Sequence, residues 1–155
     1  MARRRDQISM TDDEVQQYLT EQRILNVATL GPTGHPHLVA MWFTLLDGRP
    51  AFWTFGKSQK VVNVRRDPKI TCLVESGETY AELRGVELRG AARVVDDLET
   101  VLKIGVDVAV KYSGPDAAGP KAMPFLERQA AKRVGVIVDV DHVASWDHTK
   151  LDGQY

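Results

Sequence analysis

The chain has 155 residues, 43% of them hydrophobic and 26% charged, and a formal net charge of -1 at pH 7. That length and balance fit one soluble domain with a single core, and they exclude wholesale disorder and a fibrous architecture. No apolar run approaches the ~20 residues that cross a bilayer, "MARRRD" is not followed by a signal-peptide core, and the single cysteine, Cys72, forms no internal disulfide; the expected compartment is the cytoplasm.

In chain order, residues 1–10 read as a basic tail whose Arg3, Arg4 and Arg5 carry little functional weight, since short terminal basic runs are mostly solvated. Thr11 and Glu14 have capping-box spacing, which predicts a helix to about Gln22. Three strands follow as a meander: "ILNVATL", then "HLVAMWFTLL" after the turn "GPTGHP", then "AFWTF" after "DGRP". The middle strand is apolar on both parities, with Val39, Met41 and Phe43 on one face and Leu38, Ala40 and Trp42 on the other. Neither face is expected to meet bulk water.

Ser58 to Arg66 reads as a short helix with Ser58 as N-cap, Val61 and Val64 inward, and Asp67-Pro68 as the stop. "KITCLVE" is a strand, and a long strand from Thr79 to Val95 carries a parity break that predicts a bulge or bend at Gly85. A helix over Leu98–Tyr112, an exposed loop "SGPDAAGP", a helix near 122–132 and a strand from Val134 to Val140 complete the pattern. The expected fold is mainly β with flanking helices, its six or so strands pairing antiparallel and closing as a small barrel, with 152–155 a second tail.

The strand-to-helix junction at Lys57, Ser58, Gln59 and Lys60 offers helix N–H groups, a hydroxyl and two ammonium groups to a phosphate; Asn63 shares a flank with Lys60. The aromatic and sulfur-bearing "MWF" on the neighbouring hairpin could hold a flat ring, although core packing explains most such side chains. His35 and His37 lack a third ligand with matching spacing, so no metal is expected. Asp139, Asp141, His142 and His148 raise acid-base chemistry, but charged residues at a strand end are usually solvated. Cys72, inside an apolar strand, reads as a buried inert thiol.

Taken together, "NVATLGPTGHPHLVAMWF", "KSQKVVNVRRDPKI", "TYAELRGVELRGAARVV", "KRVGVIVDV" and "SWDHTKL" resemble the split β-barrel flavin and deazaflavin oxidoreductases, the superfamily of pyridoxamine phosphate oxidase. The closer resemblance is to its actinobacterial branch that binds the deazaflavin coenzyme F-420. It implies a six-stranded antiparallel split β-barrel over 11–151 and a homodimer with the cofactor at the subunit interface, the partner covering the second strand. Lys57, Ser58, Gln59, Lys60 and Asn63 would hold the phosphate end, Met41, Trp42 and Phe43 the ring. Trp146, His148 and Lys150 would complete the groove from the partner, and Arg65 and Arg66 could attract an acidic tail. The implied activity is hydride transfer from reduced F-420 to a small conjugated acceptor; the alternatives are an FMN (flavin mononucleotide) oxidoreductase on the same fold and a protein that binds cofactor without turnover. No nucleic acid, membrane span or catalytic side chain enters this reading.

Overall fold

The computed structural model describes residues 3–153; the outermost residues of the two expected tails, Met1, Ala2, Gln154 and Tyr155, lie outside the described residues. The strands are β1 (Leu25–Leu30), β2 (Pro36–Met41), β3 (Thr44–Leu46), β4 (Arg49–Phe55), β5 (Lys69–Ser76), β6 (Arg84–Val95) and β7 (Arg133–Asp147). They form one sheet in the order β2-β1-β5-β6-β7-β4-β3 with every pairing antiparallel, curled as a split barrel. Period-2 alternation sends Leu25, Val27, Phe52, Ile70, Cys72, Val74, Val86, Leu88, Val136 and Val138 to its buried interior.

The helices are α1 (Arg4–Ile8), α2 (Asp12–Glu21), α3 (Gln59–Arg66), α4 (Leu98–Ser113) and α5 (Met123–Ala130). α2 begins as its spacing predicts: the Glu14 N–H donates to Thr11 Oγ1 at 3.2 Å, and the Thr11 N–H donates to Glu14 Oε2 at 2.7 Å. α4 packs Ile104 and Val108 against Ala51 of β4 and Ile137 of β7. Gly105 permits that approach, because a Cβ there would stand 2.3 Å from the Trp53 ring. Among the described residues, no helix is long and apolar enough to cross a membrane.

Four expectations change. Seven strands replace six because the expected second strand breaks after Met41: Phe43 turns into the core, and its N–H donates to the Tyr112 hydroxyl at 3.1 Å instead of a ladder partner. The expected Thr79–Val95 strand starts only at Arg84. Tyr80–Glu82 form a 3-10 turn capped by Thr79, which accounts for the parity of Leu83. The bulge lies between Arg89 and Gly90, opposite the extra residue Asp141, and not at Gly85. A Cβ on Gly90 would meet the Asp139 carbonyl oxygen at 2.0 Å, whereas Gly85 is the floor beneath the Trp146 ring. β7 runs to Asp147 rather than Val140, because beyond the bulge it keeps pairing with β6 as far as Arg84.

The segment before α2, read from sequence as a tail, is ordered from Arg4. Its residues are tied to the other end of the chain, where the Met10 N–H donates to Ser145 Oγ at 2.9 Å and Lys150 Nζ donates to the Ser9 carbonyl at 2.8 Å.

Candidate functional site

α3 is built to cross the open side of the barrel. Val61 and Val64 face inward and are buried, as the valine spacing predicts. Asn63 is fully buried; its Nδ2 donates to Thr29 Oγ1 on β1 at 3.0 Å, and its Oδ1 accepts from Gln59 Nε2 at 2.7 Å. Lys60 Nζ donates to Thr54 Oγ1 on β4 at 3.1 Å, and burial lowers its pKa. The helix therefore tethers β1 to β4, which stand on opposite flanks of the sheet. Lys60 differs from its sequence reading: it is half-buried and bonded, not a free surface cation.

The N-terminus of α3 is less satisfied. Ser58 takes the extended N-cap conformation, φ -65° and ψ 151°, yet its side chain caps no N–H. Its Oγ is buried and makes no hydrogen bond within the chain. The Val61 N–H donates to the Ser58 carbonyl at 3.1 Å, which leaves the Gln59 and Lys60 N–H groups of the first turn without an intrahelical acceptor. Lys57, next to them, is exposed. A second buried atom without a partner, His37 Nδ1, belongs to the β2 residue opposite Thr29, the residue that Asn63 holds. The Ser58 hydroxyl, the Lys57 ammonium and the free N–H groups can all donate to an oxyanion. Arg65 and Arg66 are both exposed, and the Arg66 guanidinium donates to the Leu30 carbonyl and to Asn63 Oδ1.

From His37, β2 runs away from α3 to Met41, four residues or ~13 Å of strand at ~3.3 Å per residue. There the chain crosses at Trp42-Phe43 into β3, which pairs with β4. The candidate slot is the span bounded by β2 and β4, with α3 at one end and the Trp42-Phe43 crossing at the other. Met41 is half-buried and Phe43 fully buried, whereas Trp42 is 54% exposed and stacks on Tyr112 with ring centroids 4.4 Å apart and planes 10° from parallel. The Arg23 guanidinium lies 4.8 Å from the centroid of the same Tyr112 ring, and the Tyr112 hydroxyl donates to the Arg23 carbonyl. Sequence reasoning missed Tyr112 and Arg23: their partners are 69 and 89 positions away, and no local spacing signals such contacts.

The terminal motif lies elsewhere. Trp146 pairs with Gly85 near the start of β6, while α3 leads into Lys69, which pairs with Ala91 near its end. His148 is buried, with Nδ1 at 2.9 Å from the Tyr80 carbonyl and its ring edge-on to Tyr80. Lys150 is bound to Glu14 at 2.6 Å. Within one chain, Trp146, His148 and Lys150 do not meet Lys57–Asn63.

The remaining candidates are structural. Asp139 is held well below the usual carboxylate range by Arg93, with Arg49 adding to it, and so bonds β7 to β6 and to the hairpin. Burial pushes the Cys72 thiol up to about 12, which makes it inert at neutral pH. Among the described residues, no three His, Cys, Asp or Glu side chains gather to hold a metal ion.

The fold has counterparts in known proteins. A conserved hypothetical protein, Rv2991, from Mycobacterium tuberculosis is 39% identical in sequence, with 99% of this chain and 95% of that one covered and a TM-score of 0.93. An F-420 reductase is 25% identical over 83% of this chain and 94% of its own, with a TM-score of 0.62. HutZ, the heme storage protein of Vibrio cholerae, is 14% identical over 84% of this chain and 91% of its own, TM-score 0.64, and shares the fold alone. No curated protein matches. The pyridoxamine 5'-phosphate oxidase family profile matches residues 11–147, and with the split barrel described above it establishes that this chain belongs to that family.

Proposed function

We propose that this chain is an oxidoreductase that binds F-420 in the slot between β2 and β4 and passes hydride to a small conjugated organic acceptor. The observation that carries the reading is the N-terminus of α3. There a buried, unpartnered Ser58 hydroxyl and the exposed Lys57 ammonium stand beside first-turn N–H groups. The likeness to an F-420 reductase at 25% identity favours the deazaflavin over FMN.

Reduced F-420 supplies the hydride, and the chain's residues bind, orient and exclude water. Lys57, Ser58 and Gln59 hold the phosphate. Lys60 and Asn63 fix the helix that presents them, and His37 Nδ1 faces the linker between phosphate and ring. Met41 and the exposed Trp42 ring border the flat ring, with Phe43 anchoring the crossing beneath them.

The chain pairs with a second copy. Leu38, 67% exposed, stands with Ala40 and Leu30 on the outer face of the sheet, the face that also carries Trp146. A homodimer through that face covers these apolar groups, of which Leu38 and Ala40 alternate along β2 with His37 and Met41. His148 and Lys150 hold the turn that follows Trp146.

Titration of the purified protein with F-420 and with FMN tests the reading, followed by anaerobic turnover of reduced F-420 with quinones and conjugated enones. Binding of F-420 in preference to FMN, with acceptor-dependent oxidation above the protein-free rate, is expected. Tight FMN binding with none of F-420 overturns the cofactor assignment, and F-420 binding without transfer to any acceptor makes the protein a carrier.

A further inference from the structure

On the far side of Lys57 from the slot lies a cavity of about 550 Å³, walled by Phe55, Gly56, Lys57, Lys132, Arg133 and Val134. The β4–β7 pairing creates it. Phe55 stands opposite Arg133 and Trp53 opposite Gly135, so Trp53, Phe55 and Arg133 share one face of the sheet. The Arg133 guanidinium lies 4.5 Å from the Trp53 ring centroid and 5.0 Å from that of Phe55, clamped by two aromatic groups. The turn after α5 adds Lys132, and the approach to α3 adds Lys57.

Three cations thus face one cavity with no carboxylate in its wall. Among the described residues, no ion pair joins Lys57, Lys132 or Arg133 to an acid, although eight ion pairs form elsewhere on the chain. Three cations lining one cavity without an acid among them give it a positive potential that suits an oxyanion. A guanidinium held against two rings has less freedom to lose when its N–H fork takes a phosphate or carboxylate. The rest of the wall is apolar: Phe55 is 54% exposed, and Val134 and Ala131 complete the surface around it.

We infer that this cavity is a binding site for a small molecule that joins an aromatic or other flat apolar body to a phosphate or carboxylate. Arg133 and Lys132 take the anion and Phe55 the flat body, with Lys57 shared between this cavity and the α3 terminus. The oxyanion can come from an acidic extension of a cofactor seated at α3 or from a separate anionic substrate. The site stands on its own residues, whatever cofactor the slot takes.

Phenyl phosphate is the probe, followed through the backbone amide chemical shifts of the ¹⁵N-labelled protein. Saturable shifts at 55–57 and 131–134 are expected, with inorganic phosphate binding more weakly. Arg133→Gln should weaken binding about tenfold or more, the loss of one charge-assisted contact. Lys132→Gln, at an exposed position that leaves the fold intact, should weaken it by a smaller factor, and Lys103→Gln, a distant surface control, not at all. Shifts that never saturate, or affinity unchanged in both cavity variants, overturn the site; inorganic phosphate binding as tightly as phenyl phosphate overturns the aromatic half. Added F-420 separates the sources: displacement of phenyl phosphate means an acidic extension of the cofactor occupies the cavity, and simultaneous binding means a separate substrate does. Failure of F-420 to bind would refute the proposed cofactor while leaving the phenyl phosphate shifts in place.

Discussion

Ser58→Ala separates a ligand-binding hydroxyl from a structural one. The Ser58 Oγ is buried without a hydrogen bond in the chain, and such a group costs about 1–3 kcal/mol of uncompensated desolvation. The usual N-cap contribution of about 1 kcal/mol is not there to lose, since this side chain caps no N–H. Removing the hydroxyl should therefore leave the ligand-free melting temperature unchanged or raise it, by about 2–4 °C for each kcal/mol recovered. Cofactor binding should respond the other way. A hydrogen bond to an ionised phosphate oxygen is worth about 1.5–3 kcal/mol, so affinity should fall about tenfold to a hundredfold, and Ser58→Thr should retain most of it. Thermal unfolding of the ligand-free variant and calorimetric titration with F-420 give the two numbers. A melting temperature lowered by several degrees with unchanged affinity would make Ser58 a helix cap and refute the reasoning.

Lys57→Ala should weaken cofactor affinity about tenfold with the melting temperature unchanged, whereas Lys60→Ala should also lower the melting temperature, because Thr54 is buried and loses its partner; paired titration and unfolding measurements check both. Leu38→Asp should leave the protein monomeric by sedimentation velocity, and a variant that stays dimeric would remove the proposed interface. Lys111 supplies a pH test: burial first and the charge of Arg23 second hold its ammonium at about 8 rather than 10.5, and these outweigh the favourable Phe43 ring face 3.8 Å away. The folded chain then binds fewer protons than the unfolded one between these values, so this group raises stability as pH climbs from about 8 to 10.5. Denaturant midpoints across that window should rise less in Lys111→Met than in the wild type.

The sheet was legible because its strands alternate and its turns carry Gly, Pro and Asp. The Thr11–Glu14 capping box and the Val61–Val64 face of α3 were equally plain, since all these signals act within a few residues. What escaped depends on distant partners. The break at Trp42-Phe43 is set by a hydroxyl on α4, and within "HLVAMWFTLL" nothing distinguishes it from a continuous apolar strand. Gly85 and Gly90 look alike in sequence, and only the ring of Trp146 and the carbonyl of Asp139 decide which one is a bulge. In the site, Lys57 and Ser58 were placed by residue type alone. Lys60 and Asn63 sit on the flank foreseen, but it faces Thr54 and Thr29, which position the helix rather than leave it open.

The two tethers of α3 also differ in how far along the chain they reach. Lys60 and Thr54 are six positions apart, so that contact closes a short loop; Asn63 and Thr29 are 34 apart, and theirs waits until the β1–β2 hairpin has met the rest of the sheet. The helix can thus dock on β4 early and lock onto β1 late. Weakening the Thr54 contact should then slow folding, whereas Asn63→Ala should chiefly speed unfolding. On that ordering the N-terminal turn of α3 is seated on β4 before Asn63 closes onto β1, and a phosphate-bearing ligand at that turn would hold the part of the helix that is last to leave on unfolding.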